Sequence, residues 1–196
     1  MKYTKLFFIA ISFIFTFTMV GAQADKDNSG LTEEEVIIGT DGDDTINSGD
    51  GNDNISAGKG NDTINGGKGN DLVSGGAGND KIIDGPGDDY IISGEGNDTV
   101  KLGDGNDYIN LGPGDDTLVI DLAQEIGSMN FADGGEGNDT AIIVIEDVND
   151  LIASDIIQYF DEKNKVGTEI VDMGNFNVTA GLSNFEKVGV TARFTF

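Results

Sequence analysis

Between Ile46 and Leu118 an aliphatic residue recurs at every ninth position: Ile46, Ile55, Ile64, Val73, Ile82, Ile91, Val100, Ile109 and Leu118. The residues between them are mostly glycine, aspartate, asparagine and small polar side chains. Self-similarity at a fixed period marks a repeat architecture. From Gly39 the chain divides into nine consecutive nonapeptides ending at Val119: GTDGDDTIN, SGDGNDNIS, AGKGNDTIN, GGKGNDLVS, GGAGNDKII, DGPGDDYII, SGEGNDTVK, LGDGNDYIN and LGPGDDTLV. A tenth, GGEGNDTAI, follows at 134–142. Position 4 is Gly and position 6 is Asp in all ten, position 2 is Gly except for Thr40, and position 8 is aliphatic down to Ala141.

Each position has a physical reading. Glycine at positions 2 and 4 suits a tight turn with positive φ or close backbone approach. Asn or Asp at position 5 tolerates the left-handed region best after glycine. Positions 7–9 predict a short strand whose alternation sends position 8 inward and its neighbours outward. One inward aliphatic per nonapeptide makes a thin core that can only be stacked. Two nonapeptides form a coil, so equivalent residues 18 apart lie one strand spacing apart. Glu35–Ile38 predicts a first strand that caps the open end, and Thr32-x-x-Glu35 has the form of a helix capping box as an alternative.

The first residues change the picture of where the chain works. Lys2 and Lys5 precede an apolar run from Leu6 to Val20, and Ala22-Gln23-Ala24 follows. That is the pattern of a cleaved export signal. The expected segments are therefore a signal peptide at 1–24, a lead-in at 25–38, the repeat array at 39–142 and a C-terminal cap at 143–196. No membrane span is expected after cleavage. The whole chain has 11 basic and 36 acidic residues. Removing the two leader lysines leaves 9 against 36, a formal charge of −27. Such a charge excludes nucleic acid as a partner and opposes compaction. Absence of Cys and His removes the usual zinc, copper and haem ligands and the Ser-His and Cys-His nucleophile pairs. Hard oxygen chemistry remains.

The repeat spacing decides that chemistry. Strands about 4.8 Å apart would place Asp44 over Asp62, Asp53 over Asp71, and so on along two rows. At an effective dielectric of about 20, each neighbouring pair of carboxylates repels by roughly 3.5 kcal/mol. Several such terms exceed the stability of an ordinary domain, about 5–15 kcal/mol. A cation between each pair resolves the conflict, and carboxylate plus carbonyl oxygens suit Ca2+ better than Mg2+. Without the ion the array is expected to be disordered; with it, binding energy becomes folding energy.

The ten motifs resemble the RTX (repeats-in-toxin) calcium-binding nonapeptide GGxGxDxUx. The resemblance implies an all-β fold, a right-handed parallel β-roll (β-solenoid), with a mixed, mainly β C-terminal cap. It also implies Ca2+ held between coils by the position-6 aspartates and by turn carbonyls, including those of Gly42, Gly51, Gly60, Gly69, Gly78, Gly87, Gly96, Gly105 and Gly114. Carried onto this chain, the pairs are Asp44/Asp62, Asp53/Asp71, Asp62/Asp80, Asp71/Asp89, Asp80/Asp98, Asp89/Asp107 and Asp98/Asp116, about seven ions. Asp116 and Asp139 are 23 apart, one coil plus five residues. If Ala123–Ser128 loops out and Met129–Ala132 returns as a strand, Asp139 stacks on Asp116 as an eighth site and Asp107 faces the loop. Leu182–Val188 resembles the NFEKV-type segment that follows RTX arrays. RTX proteins usually leave through a one-step exporter that reads an uncleaved C-terminal signal; the N-terminal leader departs from that, so secretion, the cell surface and the periplasm all stay open.

In the tail, Val148–Phe160 is ambiguous between helix and strand, and the alternation Val188, Val190, Ala192, Phe194, Phe196 reads as a capping strand. The outward faces differ. One carries Thr45, Thr63, Lys81, Thr99 and Thr117; the other carries Asn54, Leu72, Tyr90 and Tyr108, with Ile92 beside the tyrosines. Exposed aromatic ladders point to a partner, and packing of the tail on that face is the favoured reading. No segment outside the array holds a base-nucleophile set, so no enzyme is expected. The leading function is an exported calcium-binding adhesion, matrix or envelope-associated module, with polysaccharide or another surface protein as candidate partner. A carbohydrate-binding accessory module is the alternative, and an ice-binding protein ranks third because position 3 is irregular.

Overall fold

The computed structural model describes residues 18–20, 25–27, 34–121, 129–146, 169–172, 179–184 and 187–193. Every regular element among them is a strand. In chain order they open with β1 (Thr18–Val20), β2 (Asp25–Asp27), β3 (Glu35–Ile38) and β4 (Thr45–Asn47). Next come β5 (Asn54–Lys59), β6 (Thr63–Asn65), β7 (Leu72–Ala77), β8 (Lys81–Ile83), β9 (Tyr90–Glu95) and β10 (Thr99–Lys101). Then follow β11 (Tyr108–Asn110), β12 (Thr117–Asp121), β13 (Met129–Asp133) and β14 (Thr140–Glu146). The last are β15 (Glu169–Asp172), β16 (Thr179–Ser183) and β17 (Lys187–Arg193).

Successive strands alternate between two sheets. One runs β1-β3-β5-β7-β9-β11-β13-β16-β15 and carries the tyrosines; the other runs β17-β14-β12-β10-β8-β6-β4-β2 and carries the threonines. Pairing is parallel with an 18-residue register, as in Thr45↔Thr63, Ile46↔Ile64 and Asn47↔Asn65. The fold is a β-roll, a solenoid of stacked coils.

The expected inward position holds throughout: Ile46, Ile64, Ile82, Val100 and Leu118 meet Ile55, Val73, Ile91 and Ile109, all at 0–1 % exposure. The core is thicker than one aliphatic per nonapeptide, however. Strand alternation carries past position 9, so position 1 of the next repeat also points inward, burying Ala57, Leu102, Leu111, Ile120 and Ile143. Position 6 lies two residues ahead of position 8 and therefore faces inward as well. The aspartate rows line the edge of the core itself.

The ends extend further than the motif. β3 is not the first strand, because β1 pairs beyond it and β2 pairs on β4. β1 lies within the segment expected to be a leader. The capping-box reading fails, since Glu35 opens a strand. Glu35–Ile38 sit in the register of a coil ahead of the first nonapeptide, with Ile37 opposite Ile55. At the other end β16 pairs parallel with β13, and β17 pairs parallel with β14 as the outer strand of its sheet. β15 lies antiparallel against β16. Residues 123–128 and 148–160, for which a loop and an ambiguous element were expected, lie outside the described residues.

Candidate metal centre

Each turn between sheets is built by close stacking of backbone on backbone. At position 4, a Cβ on Gly69 would sit 1.9 Å from the carbonyl oxygen of Gly51, one coil earlier, and its φ is +127°. Only glycine satisfies both conditions. Position 5 works differently from the left-handed residue expected there. Among the described residues the only non-glycine with positive φ is Asn184. Position-5 side chains instead form a ladder: Asn61 N–H donates to Asp43 Oδ1 (2.7 Å), Asn79 N–H to Asn61 Oδ1 (2.9 Å) and Asn97 N–H to Asn79 Oδ1 (2.7 Å). The other turns repeat it, from Asn70 on Asn52 to Asn106 on Asp88. The Asn106 N–H and amide hold the exposed Asp88 carboxyl below the usual range.

The position-6 aspartates form a second ladder running the opposite way. Asp44 N–H donates to Asp62 Oδ1 (2.7 Å), Asp62 N–H to Asp80 Oδ1 (2.8 Å), Asp80 N–H to Asp98 Oδ1 (2.8 Å) and Asp98 N–H to Asp116 Oδ1 (2.7 Å). In the other row the bonds run Asp53 to Asp71, Asp71 to Asp89 and Asp89 to Asp107, at 2.7–2.9 Å. The two rows anticipated from the spacing are present, and every aspartate in them is at most 3 % exposed.

The second carboxylate oxygens carry the electrostatic problem. Oδ2 of Asp53, Asp62, Asp71, Asp80, Asp89, Asp98 and Asp116 is buried and accepts no hydrogen bond. Asp44 is the exception, because Thr40 at the irregular position 2 donates its N–H (2.6 Å) and hydroxyl (3.1 Å) to Asp44 Oδ2. Burial is the largest influence on four of them and pushes these up: Asp71 and Asp116 to about 7, Asp80 and Asp89 to about 6. The N–H from the preceding coil pulls each one down, but less strongly. Neighbouring aspartates in the row add to the rise of Asp71, Asp80 and Asp116. A buried anionic oxygen without a partner costs several kcal/mol unless a cation or a proton meets it (about 1–3 kcal/mol even for a neutral group). The donor set is all oxygen, hard, and repeated at each coil, which fits Ca2+.

A family model described as the RTX calcium-binding nonapeptide repeat (4 copies) matches residues 29–64, 47–82 and 83–118. Residues 29–118 are an array of RTX repeats. RTX repeats bind Ca2+, and the aligned buried aspartates of this RTX array are the groups that present carboxylate to the coil junctions. No curated protein and no solved structure matches the chain.

The ends of the RTX rows differ from one another. Asp116 N–H donates to Asp139 Oδ1 at 2.9 Å across 23 residues, and β13 returns in register with β11. Asp107 does not face a loop: its N–H donates to Oδ1 of Asn130 at 2.8 Å, and Asn130 is 1 % exposed. Asn130 thus takes the position-6 place with a neutral side chain. The signal was available, because 107 to 130 is the same 23-residue step as 116 to 139. Glu35 takes the corresponding place at the start, its N–H on Asp53 Oδ1 at 2.8 Å. At the other end Ser183 pairs with Asp133 and Lys187 with Thr140, so the step from β16 to β17 is shorter than a nonapeptide. One buried carboxylate was missed altogether. Asp84 stands at position 1, where the motif has glycine, and is fully buried.

Proposed function

We propose that this chain is an exported protein whose β-roll forms when Ca2+ binds between its coils, with no catalytic role. The single observation that supports it is the pair of buried aspartate rows, in which Oδ2 of Asp53, Asp62, Asp71, Asp80, Asp89, Asp98 and Asp116 lacks a partner. We assign the ions to the seven junctions Asp44/Asp62, Asp53/Asp71, Asp62/Asp80, Asp71/Asp89, Asp80/Asp98, Asp89/Asp107 and Asp98/Asp116, and an eighth to Asp116/Asp139. Oδ atoms of these aspartates and turn carbonyls, those of the position-4 glycines Gly42 through Gly114 among them, are the ligands. The Asp116–Asp139 hydrogen bond, equal in kind to the others, favours eight ions over seven. The bound ion supplies positive charge; the chain supplies the stacked geometry that aligns the carboxylates. Equilibrium dialysis at saturating calcium tests the assignment. About eight ions per chain supports it, and one or none contradicts it.

In this reading residues 1–24 direct export and are removed, and the roll serves as an adhesive, matrix or envelope-associated module. The mature mass, with cell fractionation, tests that part. A second reading, a carbohydrate-binding accessory, is favoured by one feature. Leu72, Tyr90, Tyr108 and Phe131 form an outward ladder, each at least 42 % exposed. Tyr90 and Tyr108 stack on each other, with centroids 4.9 Å apart and planes 9° from parallel. The ladder therefore offers ring edges and hydroxyls, which suit an extended polar chain lying along it. Binding to acidic polysaccharides with and without Ca2+, repeated with Tyr108→Ser, separates the two readings. The ice-binding reading gains no support, since Lys81 interrupts the threonine ladder between Thr63 and Thr99.

A further inference from the structure

Asp84 brings a third carboxylate to one coil junction. It enters the turn between β8 and β9, where the same place carries Gly66 one coil earlier and Leu102 one coil later. Its Oδ1 accepts the N–H of Gly85 at 2.7 Å and that of Gly103, one coil further on, at 2.6 Å. Two donors from adjacent coils thus fix the carboxylate in the junction. Its Oδ2 is buried and has no hydrogen-bond partner, and the same is true of Asp89 Oδ2. One carboxylate oxygen from each of Asp84, Asp89 and Asp107 lies within 4.8 Å of the other two. Oxygen ligands around Ca2+ stand about 2.3–2.6 Å from the ion, so opposite ligands are separated by about twice that distance. A single ion therefore spans the three.

We propose that Asp84, Asp89 and Asp107 hold one Ca2+ between them, and that this ion is bound more tightly than those at the two-carboxylate junctions. The proposal rests on the calcium reading of the Asp89/Asp107 pair and adds a ligand that the repeat motif does not contain. Affinity of oxygen sites rises with carboxylate count and with rigidity; this junction has a third carboxylate, and two N–H groups hold it in place. A side chain at position 1 reaches the position-6 row: a Cβ on Gly66 would lie 2.9 Å from Asp71 Oδ2, and one on Gly75 would lie 2.5 Å from Asp80 Oδ2. Asp84 uses that proximity to add charge. The roll then fills unevenly, with the middle of the array taking its ion first and giving the other coils a folded neighbour to stack on.

The test loads the full chain with europium(III), an oxygen-seeking luminescent stand-in for Ca2+, and then displaces it with calcium. Asp84→Asn keeps the size and an acceptor for the two glycine N–H groups while removing the charge. Asp84→Gly supplies the residue that Gly66 provides one coil earlier. The expected result is one ion per wild-type chain that needs about tenfold more calcium for displacement than the rest. Both variants should lose that class and keep the total count. A wild-type chain whose sites are displaced together overturns the proposal and leaves the calcium reading standing. So does a tight class that survives in both variants, or a total that falls by one, which would give Asp84 an ion of its own. A wild-type chain that takes up no europium and no calcium contradicts the calcium reading and this proposal with it.

Discussion

Asp116 donates its backbone N–H to Oδ1 of Asp139 at 2.9 Å, across 23 residues, with the geometry that elsewhere joins aspartates 18 apart. Across that 23-residue step β13 and β14 both resume the parallel register. Asp139 is therefore a full member of its row. Asp139→Ala is expected to lower the calcium count by one while the preceding coils keep theirs. The loss of the acceptor for Asp116 N–H should cost about 1–3 kcal/mol at that end. Dialysis of wild type and variant side by side checks the count.

Position-4 glycines are not equivalent. In Gly69→Ala the new methyl would meet the Gly51 carbonyl at 1.9 Å on a backbone with φ +127°. Gly42 opens the array, and a methyl there would have only Thr40 Oγ1 at 3.8 Å for a neighbour. Gly69→Ala should destabilise the calcium-loaded roll by at least about 1–3 kcal/mol, whereas Gly42→Ala should be close to neutral. Thermal melting in excess calcium distinguishes them.

Most of the roll was legible in the sequence because one residue type recurs at each position for one dominant reason. Glycine at 4, aspartate at 6 and an aliphatic at 8 gave the coil length, the two sheets and the rows. Position 1 was illegible for the opposite reason: it holds Gly39, Ser48, Ala57, Asp84 and Leu102 in different repeats, so no consensus revealed that it faces inward. Position 5 was misread because Asn and Asp serve both left-handed turns and side-chain acceptor ladders. Asn130 and Glu35 escaped notice because each keeps the place in the stack but changes the side chain.

Acid should substitute in part for calcium. Burial raises Asp71 and Asp116 to about 7, and Asp80 and Asp89 to about 6, from the ordinary aspartate value of 3.8. A carboxyl whose folded value exceeds its unfolded value binds its proton more tightly in the folded state. Its contribution to the calcium-free roll is fully present below about 4, and is lost as pH rises through about 6 to 7. Chelated protein should therefore gain β structure as pH falls from about 7.5 towards 4, and calcium binding near pH 6 should release protons. Circular dichroism in chelator across that range, with proton release followed by indicator dye, tests both.

The central claim is that calcium is a condition for the fold and not an addition to a finished one. Far-ultraviolet circular dichroism of the calcium-free chain at neutral pH, followed through a calcium titration, tests it most directly. A disordered spectrum that converts cooperatively to β, and reverts when chelator is added, is the expected result. A β spectrum that persists unchanged in excess chelator would contradict the account.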